Sequence, residues 1–282
     1  MTEWTRSGGA AARRSLERVL ARGLATGAAA LVCAISQAAV AADLGAPVAP
    51  AAPAPVVEPA PSWTFAVSVY GWASGIEGRV RTLPPLPAAD INVGFDKLLQ
   101  NLQGAVMASG EARYGRFVLF TDLIFSKIAP TLAPPDGYDR LKLESSSVIG
   151  LAAGGYRLYE GNGFTMDGLV GVRGFGMKNT LEAHDPINGY VSLSKSEVWA
   201  DAVAGVRMRY EFTRSFSAIA VGFAGGGGSK YEWDLFGGLS YAFNETWGAF
   251  LGYRALKVDY KNGDFEYDVL QHGPILGVNI RF

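Results

Sequence analysis

The sequence predicts an all-β fold: a closed antiparallel transmembrane β-barrel of about ten strands, wound as an up-and-down meander, with eight or twelve as the neighbouring counts. Three observations predict it. The 282 residues are 49% hydrophobic but only 18% charged, against about 25% charged in an ordinary soluble domain. After position 42 no apolar run reaches the ~18 residues that a spanning helix needs. From 63 to 282 apolar and polar residues alternate with period two. A barrel wall needs that alternation because one face meets lipid and the other the lumen. The 36 glycines are about twice the usual ~7% share, and the net charge of −1 gives nucleic acid no basis as a partner.

Residues 1–42 read as a secretory signal peptide. Arg6, Arg13, Arg14, Arg18 and Arg22 precede a small apolar stretch from Gly23 to Ile35, and Gln37 to Asp43 offers A-x-A cleavage sites at or near Ala41. Arg13-Arg14 invites a twin-arginine reading, but a barrel crosses the inner membrane unfolded, which favours the general route. The Ala30-Leu31-Val32 stretch before Cys33 is a poor lipoprotein signal. Cys33 is the one cysteine, so the chain after cleavage has no disulfide and no cysteine-based zinc site. No phosphate loop, metal cluster or cofactor motif appears, and no cofactor is expected.

Residues 43–62 are an Ala/Pro-rich spacer, with proline at every second to fourth position over much of its length. That spacing blocks helix and sheet alike and favours an extended chain of about 3.1 Å per residue. The spacer reads as a passive periplasmic tail, with cell-wall contact as the sharper alternative. An Ala42-Asp43-Leu44 start, an Ala-Pro tail and a strand opening at Trp63 resemble the alphaproteobacterial outer-membrane β-barrel (porin-like) families. The resemblance covers the leader and first strand. It implies a Gram-negative outer membrane, contact with outer-membrane lipids and lipopolysaccharide, and biogenesis through periplasmic chaperones and the barrel-assembly machinery. At the far end Leu276, Val278, Ile280 and Phe282 alternate up to the last residue. They look like the C-terminal assembly signal of bacterial outer-membrane proteins.

Between these ends the strands are expected at 63–74, 104–115, 116–127, 141–159, 163–177, 192–212, 215–226, 231–243, 246–259 and 266–282. Short turns fall at 114–116, 160–163, 213–215 and 244–246. They alternate with loops at 75–103, 128–140, 178–191, 227–230 and 260–265. Outer-membrane barrels keep short turns on the periplasmic side and long loops outside. A weak repeat of glycine followed by aromatics supports the count, as in Gly110-Glu111-Ala112-Arg113-Tyr114 and Gly155-Tyr156-Arg157-Leu158-Tyr159. Its aromatics, with Trp63, Phe216 and Trp247, form a predicted periplasmic girdle. In the first loop Phe95, Leu98, Leu99 and Leu102 share one helical face. A short helix over 92–102 is expected either to plug the barrel mouth or to lie on its rim.

The faces predicted to point inward carry Glu111, Asp122, Glu144, Asp167, Glu197, Asp201, Glu211, Glu232 and Asp234. They also carry Arg113, Arg116, Lys142, Arg173, Arg207, Arg209, Arg254 and Arg281. These signs nearly balance. Two lumens are consistent with them: a salt-bridge network that closes a narrow barrel, or a small, weakly selective pore. A strongly one-signed lumen would instead have argued for charge selectivity.

Envelope structure or slow passive diffusion of small solutes is the expected role, carried by a monomer. A surface receptor or adhesin acting through loops 75–103, 128–140 and 178–191 is the alternative. Barrel enzymes are the remote one. Omptin proteases use an acidic pair with an Asp-His pair near the outer rim. Here His184-Asp185 has the reverse order, and Asp136 and Asp139 are not arranged as in that family. Lipid A deacylases pair His with Ser, whereas His272 is followed by Gly273-Pro274. No catalytic residues, cofactor ligands or metal ligands are therefore assigned, and the chain is read as a non-enzyme.

Overall fold

The computed structural model describes residues 62–282 except 85, 133–139 and 186–188. The stretches expected to be a signal peptide and, up to residue 61, a spacer lie outside the described residues, as do Asp136 and Asp139. The strands are β1 (Trp63–Trp72), β2 (Gly75–Arg81), β3 (Ala89–Val93), β4 (Leu102–Tyr114), β5 (Phe117–Ile128), β6 (Thr131–Leu132) and β7 (Arg140–Gly161). They continue as β8 (Phe164–Asp185), β9 (Gly189–Glu211), β10 (Phe216–Gly227), β11 (Tyr231–Ala242), β12 (Trp247–Asn262) and β13 (Phe265–Arg281). A short helix, α1, spans Phe95–Gln100.

Ten strands close the wall in the order β1-β4-β5-β7-β8-β9-β10-β11-β12-β13, and β13 returns to β1. Every pairing is antiparallel, so the fold is the closed meander expected. The closing seam runs from Ala66 opposite Arg281 to Trp72 opposite Ile275. Beyond it the Phe65 and Phe282 backbones exchange two hydrogen bonds. Closure matters energetically because an open edge would leave backbone donors and acceptors unpaired in lipid.

The ten wall strands begin and end within a few residues of the predicted bounds, with one large exception. The stretch 178–191, expected as a loop, is mostly strand. β8 and β9 stay paired from Phe164 opposite Tyr210 to Asp185 opposite Gly189. The pattern misleads there because the outward face turns polar, at Lys178, Thr180, Glu182, Ser194 and Ser196, although Leu181, Ala183, Val191 and Leu193 keep the other parity. The outward face loses its apolar residues there while the ladder continues, with Thr180 and Ser194 hydroxyls 3.1 Å apart.

The loop 75–103 also holds structure. β2 extends the line of β1 and pairs with the upper part of β13, and β3 folds back on β2. Gly78, at φ 140°, allows this: a Cβ there would overlap the Asp268 carbonyl. β1 pairs with β4 only up to Val69 opposite Ala108; above that level α1 leads into β4 beside the seam. The helix buries none of its residues, and Phe95 and Leu99 stay exposed. The expectation of a plug in the mouth is thus corrected in favour of a helix on the rim: its apolar face meets no core.

The outer surface resolves into bands. Along β13 the outward residues are Pro274, Leu276, Val278 and Ile280, followed by Phe282; towards the loop end they become His272, Asp268 and Glu266. On β8 the outward Val170 and Val172 lie below Lys178. Ion pairs Lys127–Glu144 at 2.8 Å and Lys257–Asp268 at 2.5 Å sit on this outer face at the upper edge. At the turn end an aromatic collar is exposed, including Trp63, Tyr114, Phe117, Tyr156, Phe212 and Trp247. Its rings touch in pairs, such as Trp63–Tyr114 and Phe117–Tyr156, both at 5.2 Å. On β8 the stretch from Phe164 at the collar to Lys178 at the charged rim is long enough to span a bilayer at a tilt. β7, β8 and β9 run on above the upper band as a three-stranded blade.

Candidate functional site

Three layers occupy the lumen from the loop end to the turn end. The first is aromatic. Trp199 of β9 stacks on Tyr260 of β12 at 3.9 Å between centroids and on Phe175 of β8 at 5.0 Å, with Phe265 and Tyr267 tilted against it. These residues belong to one buried cluster with Trp72, Ile124, Ile149, Leu256 and Val258. The glycine run at 225–228 lets the β10–β11 loop turn into this layer. Ser229 is buried there, accepting from Trp199 Nε1 at 2.9 Å. Its backbone N–H donates to Asp201 Oδ1 at 2.6 Å. At the mouth, Glu197 accepts from Asn262 at 2.6 Å and from the Tyr260 hydroxyl at 3.2 Å. It also lies 3.3 Å from Lys195.

The second layer is ionic and crosses the barrel. Arg254 of β12 donates to Asp234 of β11 at 2.7 and 3.0 Å, to Asp122 of β5 at 2.7 Å and to the Tyr70 hydroxyl of β1 at 3.1 Å. Tyr70 in turn donates to Asp122 at 2.5 Å. Arg173 of β8 donates to Asp234 at 2.7 Å and to Glu232 at 3.1 Å. The two guanidiniums also face the rings of Trp72 and Phe223, at 5.3 and 5.7 Å. Arg173 and Asp201 are each 1% exposed and Glu232 2%. The residues of this layer pack against one another and leave little surface exposed. The arginines are tolerated so deep because each has at least two acceptors and faces a ring, whereas Asp201 Oδ2 and Glu232 Oε1 are buried without a partner among the described residues.

The third layer is a vestibule of about 930 Å³ that opens at the turn end and is roofed by Asp122, Asp234 and Arg254. One sector of its wall is cross-linked by charge. Arg207 of β9 reaches Glu111 of β4 at 2.5 Å, and Arg113 donates to Asp167 of β8 at 2.8 Å. Arg157 meets Asp167 at 2.6 Å and Glu160 at 2.8 Å. The other sector, from β10 to β13, carries the apolar Ile219, Val221, Phe236 and Phe250, with Ser240, Asn279 and Arg281 among them.

Of the residues predicted to line the lumen, the structure brings Asp122, Arg173, Asp201, Glu232, Asp234 and Arg254 into the buried middle. It places Glu111, Arg113, Asp167, Arg207 and Arg209 around the vestibule, and Glu197 at the aromatic mouth. Glu144 and Lys142 are corrected. Buried Ile149, Leu151 and Ala153 fix the inward parity of β7 on odd positions, so both even-numbered residues face out. Arg116 lies in a turn, over the Tyr156 ring at 5.6 Å. Arg157, which the pattern left out, points inward; the register shift between Arg157 and Tyr159 accompanies its change of setting. The aromatic layer was also missed. Its signal was aromatics at inward parity, at 70, 72, 199, 260 and 267.

Of the positions weighed for enzymatic chemistry, His272 faces outward. Its Nδ1 is 2.6 Å from the Tyr253 hydroxyl, and its Nε2 is 3.7 Å from Glu77. It sits where the apolar band gives way to charge. His184 lies high on β8, opposite Tyr190 in the ladder.

No family model matches this chain, and no curated protein sequence matches it. Among solved structures it is similar to the outer-membrane protease OmpT from Escherichia coli, with a TM-score of 0.50 at 8% identity, covering 79% of this chain and 97% of that one. It is also similar to the translocator domain of the autotransporter NalP from Neisseria meningitidis, with a TM-score of 0.44 at 11% identity over 78% and 89% of the two chains. A third is Ail, the attachment invasion locus protein of Yersinia pestis, with a TM-score of 0.35 at 14% identity over 79% and 99%. At these identities the likeness is one of fold: the chain has the architecture of the outer-membrane β-barrels.

Proposed function

We propose that this protein is a closed, non-catalytic barrel of a Gram-negative outer membrane, with a structural role in the envelope in place of a diffusion pore. The observation that carries the reading is the ionic layer. Arg254 and Arg173 tie β1, β5, β8, β11 and β12 together across the lumen, with every member of the layer buried. Such a layer stiffens a wall and obstructs solutes. The apolar band between an aromatic collar and a charged rim supports a membrane position. The short turns then face the periplasm and the blade of β7–β9 stands outside. That blade favours a second reading, a surface receptor or adhesin, because its strands outrun the lipid band and present a polar outward face.

Location and orientation are tested with single cysteines in a chain that otherwise loses Cys33 with its leader. In intact cells an impermeant maleimide is expected to label Val191→Cys, on the blade, and to spare Arg214→Cys, in a short turn. Equal labelling of both, or labelling of Arg214→Cys alone, would overturn the orientation.

A further inference from the structure

Among the six arginines and six carboxylates that line the vestibule, two arginines stand outside its ion pairs. Arg209 of β9 has a long 3.4 Å hydrogen bond to Ser217 and, among the described residues, no carboxylate within ion-pair distance. Arg281 of β13 has none either. Both line the cavity, and Arg281 and Arg207 lie close enough to repel Arg209. Glu111 and Glu211 are the acids that offset this repulsion, and Glu111 is already held by Arg207 and Arg113. Beside Arg281 the Asn279 side chain is 8% exposed, and its carbonyl oxygen has no donor. Arg209 and Arg281 thus stand at the mouth without an ion pair, with Glu211 and Glu245 also on the rim and an apolar surface behind them. A cavity of this size falls at the upper end of ordinary small-ligand sites, which run about 300–1,000 Å³.

We propose that the vestibule binds a compact amphipathic anion: a carboxylate or phosphate seated between Arg209 and Arg281, with an apolar body against Ile219, Val221, Phe236 and Phe250. Asn279 accepts from a hydroxyl where the ligand has one. Guanidinium groups suit such anions because they are permanently charged and donate in a planar fork. The ring pair Phe236–Phe250, edge to face at 6.1 Å, favours a flat body. The ionic roof stops the ligand from passing through, so the site captures without conducting. That the ligand arrives from the periplasm rests on the orientation proposed above; the site itself does not.

The test is calorimetric titration of the full barrel in phosphatidylcholine nanodiscs with 2-naphthoate, and in parallel with neutral 2-naphthol. One saturable naphthoate site per barrel is expected, with naphthol showing only linear partitioning into lipid. The variant Arg209→Gln/Arg281→Gln removes no ion pair, so it is expected to fold, checked by heat-modifiable gel mobility. It should weaken naphthoate binding about tenfold or more, the scale of a lost charged hydrogen bond. A second variant, Val221→Trp, fills the cavity without touching charge and is expected to abolish saturation. Naphthoate uptake that never saturates, or a saturable site that both variants leave unchanged, would overturn the proposal. Conductance is a separate readout: a barrel that conducts would refute the closed lumen and leave this test intact.

Discussion

Replacing Arg254 with methionine is expected to cost about 3–5 kcal/mol of unfolding free energy, the largest loss from any single lumen substitution. Methionine fills most of the volume but strands two carboxylates. Asp122 loses its arginine and keeps only the Tyr70 hydroxyl; Asp234 keeps only Arg173. Two poorly compensated buried charges then face an apolar ceiling of Trp72 and Leu256. Adding Asp122→Asn should recover part of the loss, because a neutral amide removes one stranded charge. Urea unfolding in lipid vesicles measures both variants. A loss under about 1 kcal/mol for Arg254→Met is what a solvated surface pair gives. It would mean water reaches this layer and the lumen is open there.

Val170→Arg is expected to destabilise the membrane-embedded barrel by about 2–4 kcal/mol, the penalty for a cation at the lipid midplane of a barrel wall. Val170 is 65% exposed and lies midway along β8 between the aromatic collar and Lys178. On a water-facing strand the same change would fall within about ±0.5 kcal/mol. Val191→Arg supplies the comparison. Val191 is also exposed but stands on the blade of β9, above the charged rim, and its substitution should be nearly neutral. Unfolding measured side by side in vesicles separates the two. Equal and small effects would remove the membrane from this part of the wall.

The wall was legible because its physics is periodic. Strand faces follow from alternation, and a closed sheet in lipid leaves little freedom in how they pair. The β9 pattern shows this: Val198, Ala200, Ala202 and Ala204 face out, while Asp201 and Val203 are buried. The pattern failed where the solvent changed. Above the rim, the polar outward face of β8 and β9 hid a continuing ladder whose other face still carries Leu181, Ala183, Val191 and Leu193. In β7, assigning Glu144 and Lys142 inward because they are charged ignored the parity set by Ile149 and Leu151. The middle of the site was half visible. The acids and bases of the ionic layer were expected inside, but the partners of each were not. Pairing Arg254 with Asp122, 132 positions apart, depends on which strands face each other across the lumen. The stacked Phe175, Trp199 and Tyr260 layer needed the same knowledge, since its members come from three strands.

Closure of the lumen is the central claim, and single-channel recording of the purified, refolded protein in a planar bilayer tests it most directly. The expected result is a quiet trace from protein that gel mobility shows to be folded. Arg254→Met/Arg173→Met should stay quiet too, because the aromatic layer above it remains; Trp199→Ala/Tyr260→Ala combined with those changes should admit current. Reproducible open steps from the unmodified protein would contradict the account, and the ionic layer would then line a pore instead of sealing one.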